Sequence, residues 1–176
     1  MLCSLFFSGV TFGQEQVSKF LFRYKVPVVN EALFSVGVQM MGIEKNLYAE
    51  YLANYVAGEL IADPVTQQKL ELAAKCMALG LHLSPENRRL LAVHDQLKKQ
   101  SVTVVAAELG GETLASLFVE RAAQLRLAEG EKHRVFAQAL FSLSREMDPK
   151  NQKAEEALKT MNEEYGAMDW SVLLGW

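Results

Sequence analysis

Residues 70–97 read LELAAKCMALGLHLSPENRRLLAVHDQL, and two apolar-periodic runs meet within them at Ser84-Pro85. Before the hinge, Leu70, Leu72, Ala73, Ala74, Cys76, Met77, Ala78, Leu79, Leu81 and Leu83 put apolar groups nearly all round a helix. That is the pattern of a central helix packed on both sides, and Ala73, Ala74 and Ala78 leave room for a partner helix to come close. After the hinge, Leu90, Leu91, Val93, His94 and Leu97 share one face of an amphipathic helix, while Arg88, Arg89, Lys98 and Lys99 form a basic, solvated edge. The stretch reads as a helical hairpin. Its hinge returns at Asp148-Pro149-Lys150-Asn151.

Proline suits the first helical position, where no hydrogen bond is lost, and a Ser or Asp before it can cap free backbone N–H groups. Asp63-Pro64, Ser84-Pro85 and Asp148-Pro149 therefore predict three helix starts. Downstream, the Val-Thr-Val-Val run within residues 101–111 favours extended backbone and Gly110-Gly111 a turn. Helical spacing resumes over 112–128 (Leu114, Leu117, Phe118, Ala122 and Leu125 inward) and 132–147 (Val135, Phe136, Ala139, Leu140 and Leu143 inward). A thinner, highly charged helix over 149–164 turns Ala154, Ala157, Leu158 and Met161 inward, as suits an end position. The tail 166–176, GAMDWSVLLGW, is too apolar for a frayed terminus, so it either folds back as a lid or docks onto a partner.

Upstream, Leu47, Tyr48, Tyr51, Leu52, Tyr55 and Val56 follow steps of three and four over 44–60, with Glu44, Lys45, Glu50 and Asn54 opposite. The tyrosine stripe is read as core, with a ligand-stacking surface as the sharper alternative. Phe20, Phe22, Tyr24 and Val26 alternate with Leu21, Arg23 and Lys25, and Val36, Val38 and Met40 with Ser35, Gly37 and Gln39, so residues 14–43 read as a β-hairpin. A lone hairpin is marginal, and its apolar face must lie on the helices or on another chain. Residues 1–13, MLCSLFFSGVTFG, resemble a signal peptide lacking its basic n-region, with a cut before Gln14. This leans the localisation toward export, periplasmic or extracellular, with the cytoplasm left open; otherwise 1–13 is an apolar N-terminal segment. The chain thus divides into 1–13, the hairpin-like 14–43, a helical domain over 44–165 and the tail 166–176.

The residues Ala73…Leu79-x-Leu81-x-Leu83-Ser84-Pro85-Glu86-Asn87 and Leu140…Met147-Asp148-Pro149-Lys150-Asn151…Ala154…Ala157-Leu158 resemble repeat junctions of the tetratricopeptide family. In that family a Pro-x-Asn segment ends one helical hairpin and starts the next. Pro85 and Pro149 stand 64 positions apart, close to two repeats of about 34 residues. The likeness spans roughly residues 65–164, lacks the Trp-Leu-Gly-Tyr signature of a strong repeat, and is broken in register around 101–111. It implies a mainly α fold, either a TPR-like α-solenoid or an irregular helical bundle of about six helices, with a short N-terminal β-hairpin.

A net charge of −3 and a pI near 5.7 argue against a nucleic-acid partner, and no apolar run is long enough to suggest a membrane span. Cys3 and Cys76 make no metal-ligand spacing, and His82, His94 and His133 form no i, i+4 pair. No nucleophile elbow, phosphate-binding loop or dinucleotide turn occurs, and Glu155-Glu156 and Glu163-Glu164 read as solvated charge beside lysines. No catalytic, cofactor or metal residue is assigned, and no cofactor is expected. The reading is a non-enzymatic interaction or scaffold module with an unidentified protein or peptide partner and an open oligomeric state. An accessory helical region, or a fragment of a larger enzyme or enzyme assembly, is the alternative, and a small-ligand binder using Tyr48, Tyr51 and Tyr55 is the third reading.

Overall fold

The computed structural model describes residues 17–19, 23–62 and 64–176; the segment 1–13 lies outside the described residues. Among them the order is β1 (Val17–Lys19), α1 (Gly42–Tyr55), a π-helical turn (Val56–Leu60), α2 (Gln67–Leu83), α3 (Arg88–Lys98), β2 (Ser101–Thr103), α4 (Gly111–Arg126), α5 (Glu131–Met147), α6 (Gln152–Tyr165) and α7 (Ser171–Leu174). The chain is mainly α. Helices α1 and α2 pack as one pair and α4 and α5 as another, with α3 laid on the first and α6 on the second. Helix α2 lies between them, touching α1, α3, α5 and α7. Ten of its seventeen residues are the apolar groups expected from its all-round pattern, and each of them is buried.

Both hinges are built alike, and both differ from the expectation. The helix starts at the asparagine and not at the proline. Ser84 N–H donates to Gly80 O at 2.9 Å and closes α2, Asn87 N–H donates back to Ser84 O at 3.1 Å, and the Asn87 amide oxygen accepts from Leu90 N–H at 2.8 Å to open α3. Sixty-four positions later, Asp148 N–H bonds Ser144 O at 2.9 Å, Asn151 N–H bonds Asp148 O at 3.1 Å, and the Asn151 side chain accepts from Ala154 N–H at 3.1 Å. Proline occupies the turn, where its missing N–H leaves nothing unpaired, and an asparagine two residues on satisfies an orphan donor. The helix expected at Asp63-Pro64 likewise starts later, at Gln67, where Thr66 Oγ1 accepts from Lys69 N–H at 3.2 Å. Asp63 lies outside the described residues.

The two hinges do not enclose four helices, as two 34-residue hairpins would. Between Pro85 and Pro149 stand α3, β2, α4 and α5. The extended run expected near residue 102 is β2, but its partner is β1, antiparallel, with Val17 opposite Thr103 and Lys19 opposite Ser101. Among the described residues of 14–43 the expected hairpin is not formed: residues 23–41 hold no strand and 33–39 are turns and bends, while Phe20 and Phe22 of its first strand lie outside the described residues. The alternation there has a different cause. Tyr24, Phe34 and Val38 are each buried one at a time by a segment that crosses the helices, with the Phe34 ring stacked on Phe136 of α5 at 4.7 Å.

Helix α1 is also rotated relative to the expectation. Tyr48, Ala49, Leu52, Ala53, Tyr55 and Val56 face the core, whereas Leu47 is 42% exposed, and Lys45 and Asn54, expected outward, are buried. The alanines admit α2, and the Lys45 stem lies along apolar surface while its ammonium donates to Ser35 O at 2.7 Å. At the end of α1, Ile61 N–H reaches back five residues to Val56 O, closing the π turn. That turn brings Glu59 against the N-terminus of α4, where both carboxylate oxygens lie 3.3 Å from Gly111 N.

Candidate functional site

The exposed side of α1 carries Ile43, Asn46, Leu47 and Glu50, at the i, i+3, i+4, i+7 spacing of one helical face. Ile43 is 78% exposed and Met41, just before the helix, 70%. Two of these residues, Asn46 and Glu50, line a groove of about 410 Å³ with Glu86, Asn87, Arg88 and Arg89 of the first hinge. The hinge asparagine joins the two walls. Its Nδ2 donates to Asn46 O at 3.1 Å and to Asn46 Oδ1 at 2.9 Å, while Oδ1 remains on the α3 cap. Deeper in, Arg89 Nε donates to Asn54 Oδ1 at 2.7 Å, which explains both the burial of Asn54 and the orientation of the guanidinium. An apolar ridge therefore lies beside a polar groove that presents amide, carboxylate and guanidinium groups. Such a surface can take an extended or helical peptide through apolar anchors and backbone hydrogen bonds.

A second cleft, about 700 Å³, opens at the α4–α5 turn, with Leu127 85% exposed at its lip and the Arg134 guanidinium 4.9 Å from the Tyr165 ring centre. Its charges are mixed: Arg134 lies 3.5 Å from Glu131.

The tyrosine stripe is core at two of its three positions. Tyr48 stacks on Phe118 at 5.6 Å, and burial raises its hydroxyl to about 12; Tyr55 is buried and its hydroxyl is also held up by burial; Tyr51 is half-buried. Cys76 is buried and its thiol is held well above the ordinary range by loss of water, so it is an inert core group. His94 is buried with Nδ1 unpartnered, and burial followed by the Lys98 charge lowers it to about 4. His133 links the start of α5 to Gln39, whose N–H donates to Nε2 at 3.0 Å. The basic edge divides: Arg89 is tied to Asn54, Lys99 pairs with Asp95 at 2.6 Å, and Arg88 stays exposed. Glu155 and Glu163 are exposed, 3.8 Å from Arg145 and 3.9 Å from Lys159.

The tail folds back. Leu173 and Leu174 are buried against α2, Trp170 Nε1 donates to Ser142 Oγ at 3.2 Å, and Trp176 Nε1 donates to Val26 O at 3.1 Å with Lys25 Nζ 3.4 Å above its ring. Three features were not anticipated: the π turn and its Glu59 contact, the Asn54–Arg89 bond, and the role of His82 in holding the tail. Only the first left a trace in the chain, since Gly58 stands near the end of the helical run over 44–60. A Cβ there would stand 2.6 Å from Val105 O and 2.7 Å from Ala107 N.

Among the described residues no group of three or more His, Cys, Asp or Glu is placed to hold a metal ion, and no helix is long and apolar enough to cross a membrane. The surface defines a mainly helical protein with a grooved, partly apolar flank. No protein-family model, curated protein or solved structure matches the chain.

Proposed function

We propose that this protein is a non-enzymatic helical-repeat module that holds a protein or peptide partner on the α1 flank. The carrying observation is the ridge of Met41, Ile43 and Leu47 standing exposed beside the Asn46–Asn87 groove. Large apolar groups set together on a helix face and rimmed by polar groups are features of a contact surface. The like build of the two hinges, and not the count of helices between them, supports the repeat reading, since each closes one helix and caps the next by the same three bonds.

The test is affinity capture from the native host in mild salt with the wild-type chain and with Ile43→Asp/Leu47→Asp. Both positions are exposed, so far-UV circular dichroism of the variant should match wild type. A partner recovered by the wild type and lost with the variant supports the reading. Recovery of the wild-type chain alone, as a monomer, refutes it, as does equal capture by both chains.

A further inference from the structure

Ile43 and Leu47 stand one turn apart on α1, 78% and 42% exposed, with Met41 at 70% just ahead of them. The start of the helix is open. Met41 is its N-cap residue and no side chain caps it, so the first N–H groups and the positive end of the helix dipole are left without a partner from the chain's described residues. Glu44, the acid of the first turn, is drawn to Arg121 at 3.1 Å. Glu50 shares the Ile43–Leu47 face. Among the described residues, Glu50, Glu86 and Arg88 form no ion pair. The flank thus holds both signs in balance, Glu50 and Glu86 against Arg88 and Arg89, the last bonded to Asn54. A strongly acidic or basic partner gains little on such a surface, whereas a copy of the surface brings each sign to meet the other.

A two-fold contact pairs residue i with j and j with i. With the axis perpendicular to α1, the two copies of the helix run antiparallel. Setting that axis midway between positions 43 and 47 lays Ile43 on the partner's Leu47 and Leu47 on the partner's Ile43. Glu50, three positions beyond Leu47, then comes opposite position 40, three before Ile43, at the open N-terminus of the partner's α1. One register therefore satisfies the apolar pair and brings each Glu50 carboxylate to a positive helix end, twice over.

We propose that the partner taken by the α1 flank is a second copy of this chain, joined as a two-fold dimer through Ile43, Leu47 and Glu50. The inference rests on the α1 flank being the binding surface. A contact built on one helix pair falls below the roughly 1,200 Å² at which standard interfaces begin, so the dimer dissociates on dilution.

Sedimentation velocity between about 5 μM and about 500 μM covers association of that strength. The wild-type mass should climb from 19.6 kDa toward twice that value. Ile43→Asp/Leu47→Asp should stay at the monomer mass with unchanged far-UV circular dichroism. Glu50→Arg, which sets a cation at the partner's positive helix end, should move the midpoint at least about fivefold upward in concentration. Air oxidation reads the register separately, on a Cys3→Ser background that leaves only the buried Cys76. There, Ile43→Cys mixed with Leu47→Cys should form a disulfide-linked dimer several times faster than either variant alone. A wild-type chain that is monomeric at every concentration overturns the dimer, as does association that survives Ile43→Asp/Leu47→Asp, or a mixture that cross-links no faster than the single variants. A monomer that still captures another protein through Ile43 and Leu47 overturns the dimer alone and leaves the α1 flank as a binding surface. A monomer that captures nothing overturns both.

Discussion

Gly80 on α2 faces Leu90 on α3, and the pair sets how closely the central helix meets the first hinge. A Cβ on Gly80 would lie 2.6 Å from Leu90 Cδ1 and 3.0 Å from Cδ2, well inside the roughly 3.5–4.0 Å at which carbon atoms rest. Leu90 is fully buried, so its methyls have no free space to swing into. Overpacking of this kind costs about 1–3 kcal/mol. Alanine in place of a helical glycine returns about 1 kcal/mol, so Gly80→Ala should destabilise by about 1 kcal/mol net. Leu90→Ala alone should cost about 2–5 kcal/mol by leaving a cavity. In the double variant the new methyl enters that cavity, and the total should fall short of the sum by about 1–3 kcal/mol. The chain offers a precedent: 64 positions on, Ser144 and Ala154, both buried, put the larger residue first and the smaller second. Urea unfolding followed by circular dichroism on the four proteins measures the coupling. Additivity within about 0.5 kcal/mol would refute the reasoning that helix spacing rests on this pair.

Three further outcomes follow from other joints. Asn151→Ala removes a helix cap alone and should cost about 1 kcal/mol, whereas Asn87→Ala also loses two bonds to Asn46 and should cost about 2–3 kcal/mol; Asn87→Asp, which keeps the cap, should fall between, and equal losses at the two hinges in urea unfolding would contradict this. Gly58→Ala meets backbone atoms, which cannot yield as a side chain can, so it should cost more than about 2 kcal/mol, and Glu59→Ala about 1 kcal/mol through α4; a neutral Gly58→Ala in thermal melts would show that residues 105–107 move freely. His94, lowered to about 4 by burial, contributes stability present above about pH 6.5 and lost as pH falls toward 4, on the order of 3 kcal/mol. His94→Leu should flatten that part of the stability-versus-pH curve, and an unchanged slope would count against it.

The six longer helices were legible because their causes are local, while the short α7 of the tail was not expected. An apolar stripe at steps of three and four names a helix whatever packs on it, so α4, α5 and α6 lie within a few residues of their expected spans. Cys76 and His94 could be placed in the core for the same reason, and so could most of the inward residues of α4 and α5. The proline hinges were visible too, but the capping residue was misplaced, because Ser-Pro and Asn-x-x-Leu each offer a plausible cap and only backbone geometry chooses between them.

What the candidate site required was not local. Leu47 and Lys45 exchanged places because the rotation of α1 depends on where Phe118 and Ser35 arrive, 70 residues downstream of Tyr48 and 10 upstream of Lys45 respectively. The expected hairpin dissolved for a like reason: among the described residues, Val17–Lys19 pair with β2 and Tyr24 is buried on its own, since an extended segment takes whichever partner is nearest. Helical periodicity and hinge chemistry, being properties of neighbours a few residues apart, are what this sequence determined by itself. Which face of α1 meets water, that Asn87 ties α3 to α1, and that one imidazole holds both crossing segments are contacts between residues roughly 40 to 90 positions apart. Only the packed tertiary structure brings such groups within hydrogen-bonding distance.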